Sequence, residues 1–183
     1  MRWSVLNFPE IEDIPISLLH PSFRDFLLDN RRCDDLQFCI VGENAHGDLA
    51  VSCLQLLSRH LKQDICALKL PGSLTSEVDI CTVQRCLPSE VQYACRYWVD
   101  HLQRSNVKLC DGEPLHDRVH VFIKEHFLHW LEALSIIGNM PDGILMVKAL
   151  DSMLTVSNPN DFERFLCKIP VPAIRRTADG RIR

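Results

Sequence analysis

Apolar residues along this chain recur mostly at three- and four-residue spacings, the signature of helices with one buried face. The clearest case follows Ser89-Glu-Val-Gln92, a capping-box pattern in which Ser and Gln would satisfy each other's end of the first turn. Val91, Cys95, Trp98, Val99 and Leu102 then form one continuous stripe. A polar stretch from Arg104 to Gly112 predicts a loop, and Pro114 suits the first turn of the next helix because its missing N–H costs nothing there. That helix is expected from Leu115 to Ile137, burying Val119, Phe122, Ile123, Phe127, Trp130, Leu131 and Leu134. Gly138-Asn139 supplies a left-handed cap, and Pro141 reads as a residue that cannot continue the helix.

Elsewhere the pattern is thinner. Asn44 to Leu61 predicts a helix with Leu49, Cys53, Leu56, Leu57 and His60 as its stripe, although Gly47 weakens its first turns. Ile144 to Leu154 predicts another, and Asn160-Asp-Phe-Glu163 would cap a short one. Pro71-Gly72 marks a turn, followed by a short helix within Ser76 to Arg85. Near the start, Ile14 to Leu19 predicts a short strand, with Pro15 confined to its start or to an edge. Ser22-Phe-Arg-Asp25 has the S-x-x-D form that opens a helix ending at Asn30-Arg-Arg32, and Phe23, Phe26 and Leu27 share one face that must pack on something. The expected fold class is mostly α: a helical bundle with a short N-terminal strand and no internal repeat.

Composition fits this picture. The 183 residues are 46% hydrophobic and 24% charged, an ordinary globular balance. A chain this long buries roughly 70% of its unfolded surface. Net charge is -4, which argues against a nucleic-acid binder, because phosphate contacts require clustered Lys and Arg. The last sixteen residues carry +4 from Lys168, Arg175, Arg176, Arg181 and Arg183 against Asp179, which reads as a solvated terminus. No uncharged apolar run approaches the roughly 18–20 residues of a membrane span, and no signal peptide is evident. Nine cysteines without a Cys-x-x-Cys pair, several of them (Cys53, Cys95) where a helix would bury them, predict reduced thiols and a cytoplasmic location.

Candidate chemistry is sparse. His116 and His120 lie one helical turn apart, and His126 and His129 lie three residues apart. Helical His pairs can hold zinc, but Glu125-His126-Phe-Leu-His129 is not the H-E-x-x-H order, so partly exposed histidines on an amphipathic helix are expected. No G-x-S-x-G elbow occurs, and Trp98 and Trp130 read as core anchors. No catalytic residue, metal or cofactor is expected.

Leu18-Leu-His-Pro-Ser-Phe-Arg-Asp-Phe-Leu27 resembles the closing segment of the winged-helix subdomain in NACHT-type signalling ATPases of the STAND class. The likeness is strongest to the NACHT/WD-repeat proteins of filamentous fungi, the vegetative-incompatibility class. It extends through Ala50 to Leu61, Lys62-Gln-Asp-Ile-Cys66, Leu70-Pro-Gly72, Leu87-Pro-Ser-Glu-Val-Gln-Tyr-Ala-Cys-Arg-Tyr-Trp98, His101-Leu102 and Phe122-Ile-Lys-Glu-His-Phe-Leu-His-Trp-Leu-Glu-Ala-Leu134. Residues 14–140 thus look like the end of the winged helix and the helical linker that precedes the WD repeats. The implied division is a winged-helix remnant over 1–32, a helical linker over 33–158, and a short helix with a basic tail over 159–183.

The segment begins seventeen residues after Met1, so the nucleotide-binding core of the family is not expected within this chain. No G-x-x-x-x-G-K-[ST] phosphate loop occurs. The resemblance places His20 where such proteins sense the nucleotide phosphates, a role suited to imidazole. Against this stands a His whose ring bonds only to its neighbours. The implied function is a non-catalytic regulatory or interaction fragment, with a NACHT module or a second copy as protein partner. A winged helix also raises DNA binding, but the acidic segment argues against it. The alternatives are a gene remnant or truncated gene with no independent function, and a small metal-dependent or thiol enzyme.

Overall fold

Apolar side chains at helical spacing assemble into six α-helices among the described residues of a computed structural model, which are 6–7, 17–18, 20–29, 31–32, 40–68, 79–107, 109 and 113–155. Two strands of two residues each, β1 (Leu6–Asn7) and β2 (Ser17–Leu18), pair antiparallel with Leu6 opposite Leu18 and Asn7 opposite Ser17. The helices are α1 (Pro21–Leu28), α2 (Gly42–His60), α3 (Ile80–Cys86), α4 (Ser89–Arg104), α5 (Pro114–Ile136) and α6 (Met140–Thr155). The rest of the expected strand (14–16 and 19), the Pro71-Gly72 turn, residues 76–78 of the expected short helix, the Asn160–Glu163 helix and the basic tail lie outside the described residues.

The core is the space enclosed by α2, α4, α5 and α6. Helices α2 and α4 form the most extensive contact. Small residues make their close approach possible: Ala50, Ala94 and Cys95 are all fully buried. Trp98, Phe122 and Trp130 fill the centre, with Trp98 edge-on to both other rings at centroid distances of 5.3 Å. Such edge-to-face pairs add to the area that each ring buries. Leu57, Leu87, Leu102, Ile123, Leu134, Leu150 and Leu154 complete the interior.

Several local expectations need correction. The buried face of α2 is Ala50, Cys53, Leu54 and Leu57, whereas Leu49 and His60 are exposed and Leu56 is half-buried. Cys53 and Leu57 stand as expected, but the face against α4 is rotated so that Ala50 and Leu54 are buried in place of Leu49 and Leu56. Helix α4 has Pro88 as N-cap, with no side-chain capping bond. Ser89 instead donates from Oγ to Glu90, and Gln92 donates from Nε2 to the Leu87 carbonyl at 2.8 Å. The box fails because Ser89 already lies inside the helix. Helix α1 is capped not by Ser22 but by His20, whose Nδ1 accepts from the Ser22 N–H at 3.1 Å. The helix ends at Leu28, with Asp29 as its C-cap.

The junction between α5 and α6 forms as a left-handed cap. Gly138 has φ of +72°, the Asn139 N–H reaches the Leu134 carbonyl at 2.8 Å, and the Gly138 N–H reaches that of Ser135 at 3.1 Å. This crossed pair of bonds is the Schellman arrangement, and only glycine adopts that φ without cost. Pro141, read as a stop, stands in the first turn of α6, where proline is tolerated. Asn139 accepts the Gly143 N–H at its carbonyl and donates from Nδ2 to Asp142 at 3.0 Å, so one residue ends α5 and starts α6.

Candidate functional site

Each sequence-derived candidate has a definite environment. His20 is exposed at the start of α1, its Nδ1 3.1 Å from the Ser22 N–H and 2.6 Å from the Ser22 hydroxyl. His116 and His120 stack with ring centroids 6.3 Å apart, and His116 is buried with Nδ1 3.6 Å from an Asp117 carboxylate oxygen. His126 and His129 have ring centroids 5.8 Å apart, and neither is fully exposed. Among the described residues no group of three or more His, Cys, Asp or Glu side chains is placed to hold a metal ion. Trp98 and Trp130 are both fully buried, and Trp130 donates from Nε1 to the Cys95 carbonyl at 2.9 Å.

The structure adds a polar chain that periodicity alone does not pair. His101 lies on the core side of α4, and its Nδ1 is 2.9 Å from His46 Nδ1 on α2. Its Nε2 is 2.7 Å from the hydroxyl of Tyr93, two turns earlier along the same side of α4. With both rings neutral the two bonds run in the same sense: either Tyr93 O–H donates to His101 Nε2 and His101 Nδ1–H to His46 Nδ1, or both reverse with the tautomers. The rings of His46 and His101 also stack, with centroids 5.1 Å apart. Burial, followed by the nearby His46 and Arg104 charges, lowers the His101 pKa below the usual 6.5, and Asp100 only partly opposes this. Burial foremost raises that of Tyr93, aided by Cys53, Tyr97 and Asp100, so its hydroxyl stays protonated.

The chain ties α2 to α4 as long as one of the two Nδ1 atoms can accept; protons on both would set two N–H groups face to face and break the link. The linkage sign follows: the folded state disfavours the charged ring, so between the lowered pKa and 6.5 the unfolded chain binds more protons. Stability is full above about pH 6.5 and falls as the pH drops through the folded pKa. His126, also lowered, by burial first and then His129, acts in the same sense. Thermal melts from pH 7.5 to 5.5 should show a falling midpoint, with a shallower fall in His101→Phe, where His126 still contributes; equal slopes would remove His101 from the account.

The thiols of Cys53, Cys66 and Cys95 offer little nucleophilic chemistry at neutral pH. Burial raises Cys53 and pushes Cys95 up to about 12, with Arg96 opposing the shift in Cys95. Cys66 is pushed up to about 11, by burial first and then by Cys86, Glu132 and Asp64. Thiolate is the reactive form, so these groups stay protonated.

Apolar surface is the other feature of note. Met140, Ile144 and Leu145 on α6 are exposed, the last at 63%. None of the residues of α1 is buried, and Phe26, on the face expected to pack, is 39% exposed. Between α2 and α5 lies a cleft of about 420 Å³ with Leu54 and Val121 in its walls and Arg59, Asp117 and Arg118 around them. No described helix is long and apolar enough to cross a membrane.

Comparison with known proteins gives one informative likeness. The chain is 29% identical over 163 residues to the vegetative incompatibility protein HET-E-1 of Podospora anserina, an alignment covering 81% of this chain and 12% of that protein. The chain thus spans less than an eighth of its relative's length. No family model matches it, and no solved structure does.

Proposed function

We propose that this chain is a protein-interaction module of the fungal vegetative-incompatibility class, working by packing against other domains and not by catalysis. The alignment with HET-E-1 over most of the chain is the observation that carries this reading. In this proposal residues 1–32 are the end of a winged-helix subdomain, 33–158 the helical linker, and 159–183 a short helix with a basic tail, in a NACHT/WD-repeat arrangement. The partner is a NACHT module of the same class.

The surface supports the proposal. Ile144 and Leu145 stand 53% and 63% exposed beside Met140, and contiguous exposed apolar side chains favour a partner. The half-open face of α1 offers a second contact. Some polar groups in the bundle hold its elements together: His46 and His101 link α2 to α4, and Glu132 ties down a backbone turn. His20 is the candidate contact to nucleotide. Its Nδ1 serves the helix cap, leaving Nε2 as the nitrogen that would meet a phosphate oxygen in the assembled protein.

The test is association. Light scattering on the purified chain mixed with a NACHT module of this class should show a complex. The double substitution Ile144→Asp and Leu145→Asp should weaken it at least about tenfold, since one well-packed apolar side chain contributes about 1.5–3 kcal/mol. A monomer that binds no such module, at concentrations where the helices are intact by circular dichroism, would sink the reading.

A further inference from the structure

Helices α2 and α4 bring two imidazole nitrogens to one point. His46 Nδ1 and His101 Nδ1 are 2.9 Å apart while the ring centroids are 5.1 Å apart, so these nitrogens are the facing edges of two rings 29° from parallel. The helices approach closely beside the pair: a Cβ at Gly47, next to His46, would stand 3.7 Å from that of Ser105, one turn past His101. The contact of α2 with α4, the most extensive in the bundle, holds both backbones. His101 is buried but His46 is half-buried, so water reaches one side of the pair. The outer nitrogen of His101 is engaged as well, with Nε2 2.7 Å from the Tyr93 hydroxyl. Two imidazole nitrogens in contact can share a proton, and their two lone pairs can equally share a metal ion.

We propose that His46 and His101 form a two-histidine site for a divalent metal ion whose ligand positions lie at right angles, Ni2+ or Cu2+, clipping the start of α2 to the end of α4. Imidazole suits both ions, and two bonds of about 2.0 Å at a right angle end about 2.8 Å apart, close to the separation already present. A tetrahedral ion such as Zn2+ sets its nitrogens about 3.3 Å apart and would have to push the rings apart. The metal takes both Nδ1 lone pairs, so each neutral ring carries its one proton on Nε2. That of His101 donates to the Tyr93 oxygen, whose own O–H turns elsewhere, and such an outer hydrogen bond fixes the tautomer and the ring. Burial favours the neutral form of His101, which is the form that binds metal. Water fills the remaining positions from the His46 side.

Calorimetric titration of the full, tag-free chain with nickel chloride tests this; nickel is the probe because copper would oxidise the thiols. The wild type should bind one Ni2+ per chain at its tightest site, and excess Ni2+ should raise the melting midpoint, because the two ligands meet only in the folded state. His46→Ala and His101→Phe should each weaken binding at least about a hundredfold, since a lost ligand costs more than the outer partner removed by Tyr93→Phe, expected at about tenfold. Double alanine variants at His116 with His120, and at His126 with His129, should bind as the wild type does. Undiminished binding by His46→Ala would overturn the proposal. Nuclear magnetic resonance on the wild type decides the matter even if a variant fails to fold. Substoichiometric Ni2+ should first broaden amide signals around His46 and His101; broadening centred on α5 or on Cys81, or none at all, would overturn the assignment.

Discussion

Trp130→Ala is expected to destabilise the protein by about 4 kcal/mol, a large share of the stability of an ordinary domain. Trp130 is fully buried, packs edge-on against Trp98 at 5.3 Å and lies 6.1 Å from the Phe127 ring. Truncation removes the largest payload of apolar area at the point where α4 and α5 meet. The cavity it leaves is walled by other rings, which cannot collapse into it without leaving their own contacts. Loss of the Nε1 hydrogen bond is the lesser part, because the Cys95 carbonyl also belongs to the ladder of α4. Trp130→Phe, which keeps a ring but loses the donor, should therefore cost only about 1–2 kcal/mol. Urea unfolding followed by circular dichroism would check both. Equal losses for the two variants would mean that the hydrogen bond, not packing, dominates.

Glu132→Ala should cost about 2–3 kcal/mol through a different route. Asp64 and Ala67 have φ of 53° and 54°, the left-handed region that side chains other than glycine enter at a cost of about 1–2 kcal/mol each. That conformation persists because the turn is tied down. The Glu132 carboxylate accepts the Asp64 and Ile65 N–H groups at 3.2 Å each, and the Asp64 side chain accepts the Leu68 N–H at 2.7 Å. Alanine at 132 leaves two partly buried donors without that acceptor and frees the strained turn. Glu132→Gln keeps one acceptor oxygen, so it should lose about half as much. Hydrogen exchange at Asp64 and Ile65 is the direct readout: rates should rise well above those of α4 amides in the alanine variant, and unchanged rates would refute the assignment.

How much of this was legible in the sequence depends on what each feature needs. Helices α4 and α5 could be read because Trp98, Val99 and Leu102, and Phe122, Ile123 and Trp130, repeat at a spacing that only a helix turns to one side. The left-handed cap at Gly138 was legible for the same local reason. Pro141 was not, since proline both follows a helix end and opens a helix start, and the two coincide when only Ile137, Gly138 and Asn139 intervene. The buried face of α2 was misplaced because Ala50 signals packing only once its partner helix is known. His101 carried a partial signal: Ala94, Trp98, His101 and Ser105 are buried at successive four- and three-residue steps, so an inward-facing histidine could have been inferred. Its partner His46 lies 55 residues away, and nothing local specifies that meeting. The Glu132 clamp is hidden likewise, with its acceptors 67 and 68 residues from the donors.

The three-residue junction at Ile137, Gly138 and Asn139 has a kinetic side as well. Helices α5 and α6 are neighbours along the chain, so their docking closes almost no loop and loses little chain entropy. The broadest interface, α2 on α4, must instead bring together elements separated by residues 61–88. Local pairings form faster than distant ones, so the α5–α6 pair is expected to form before α2 closes upon α4.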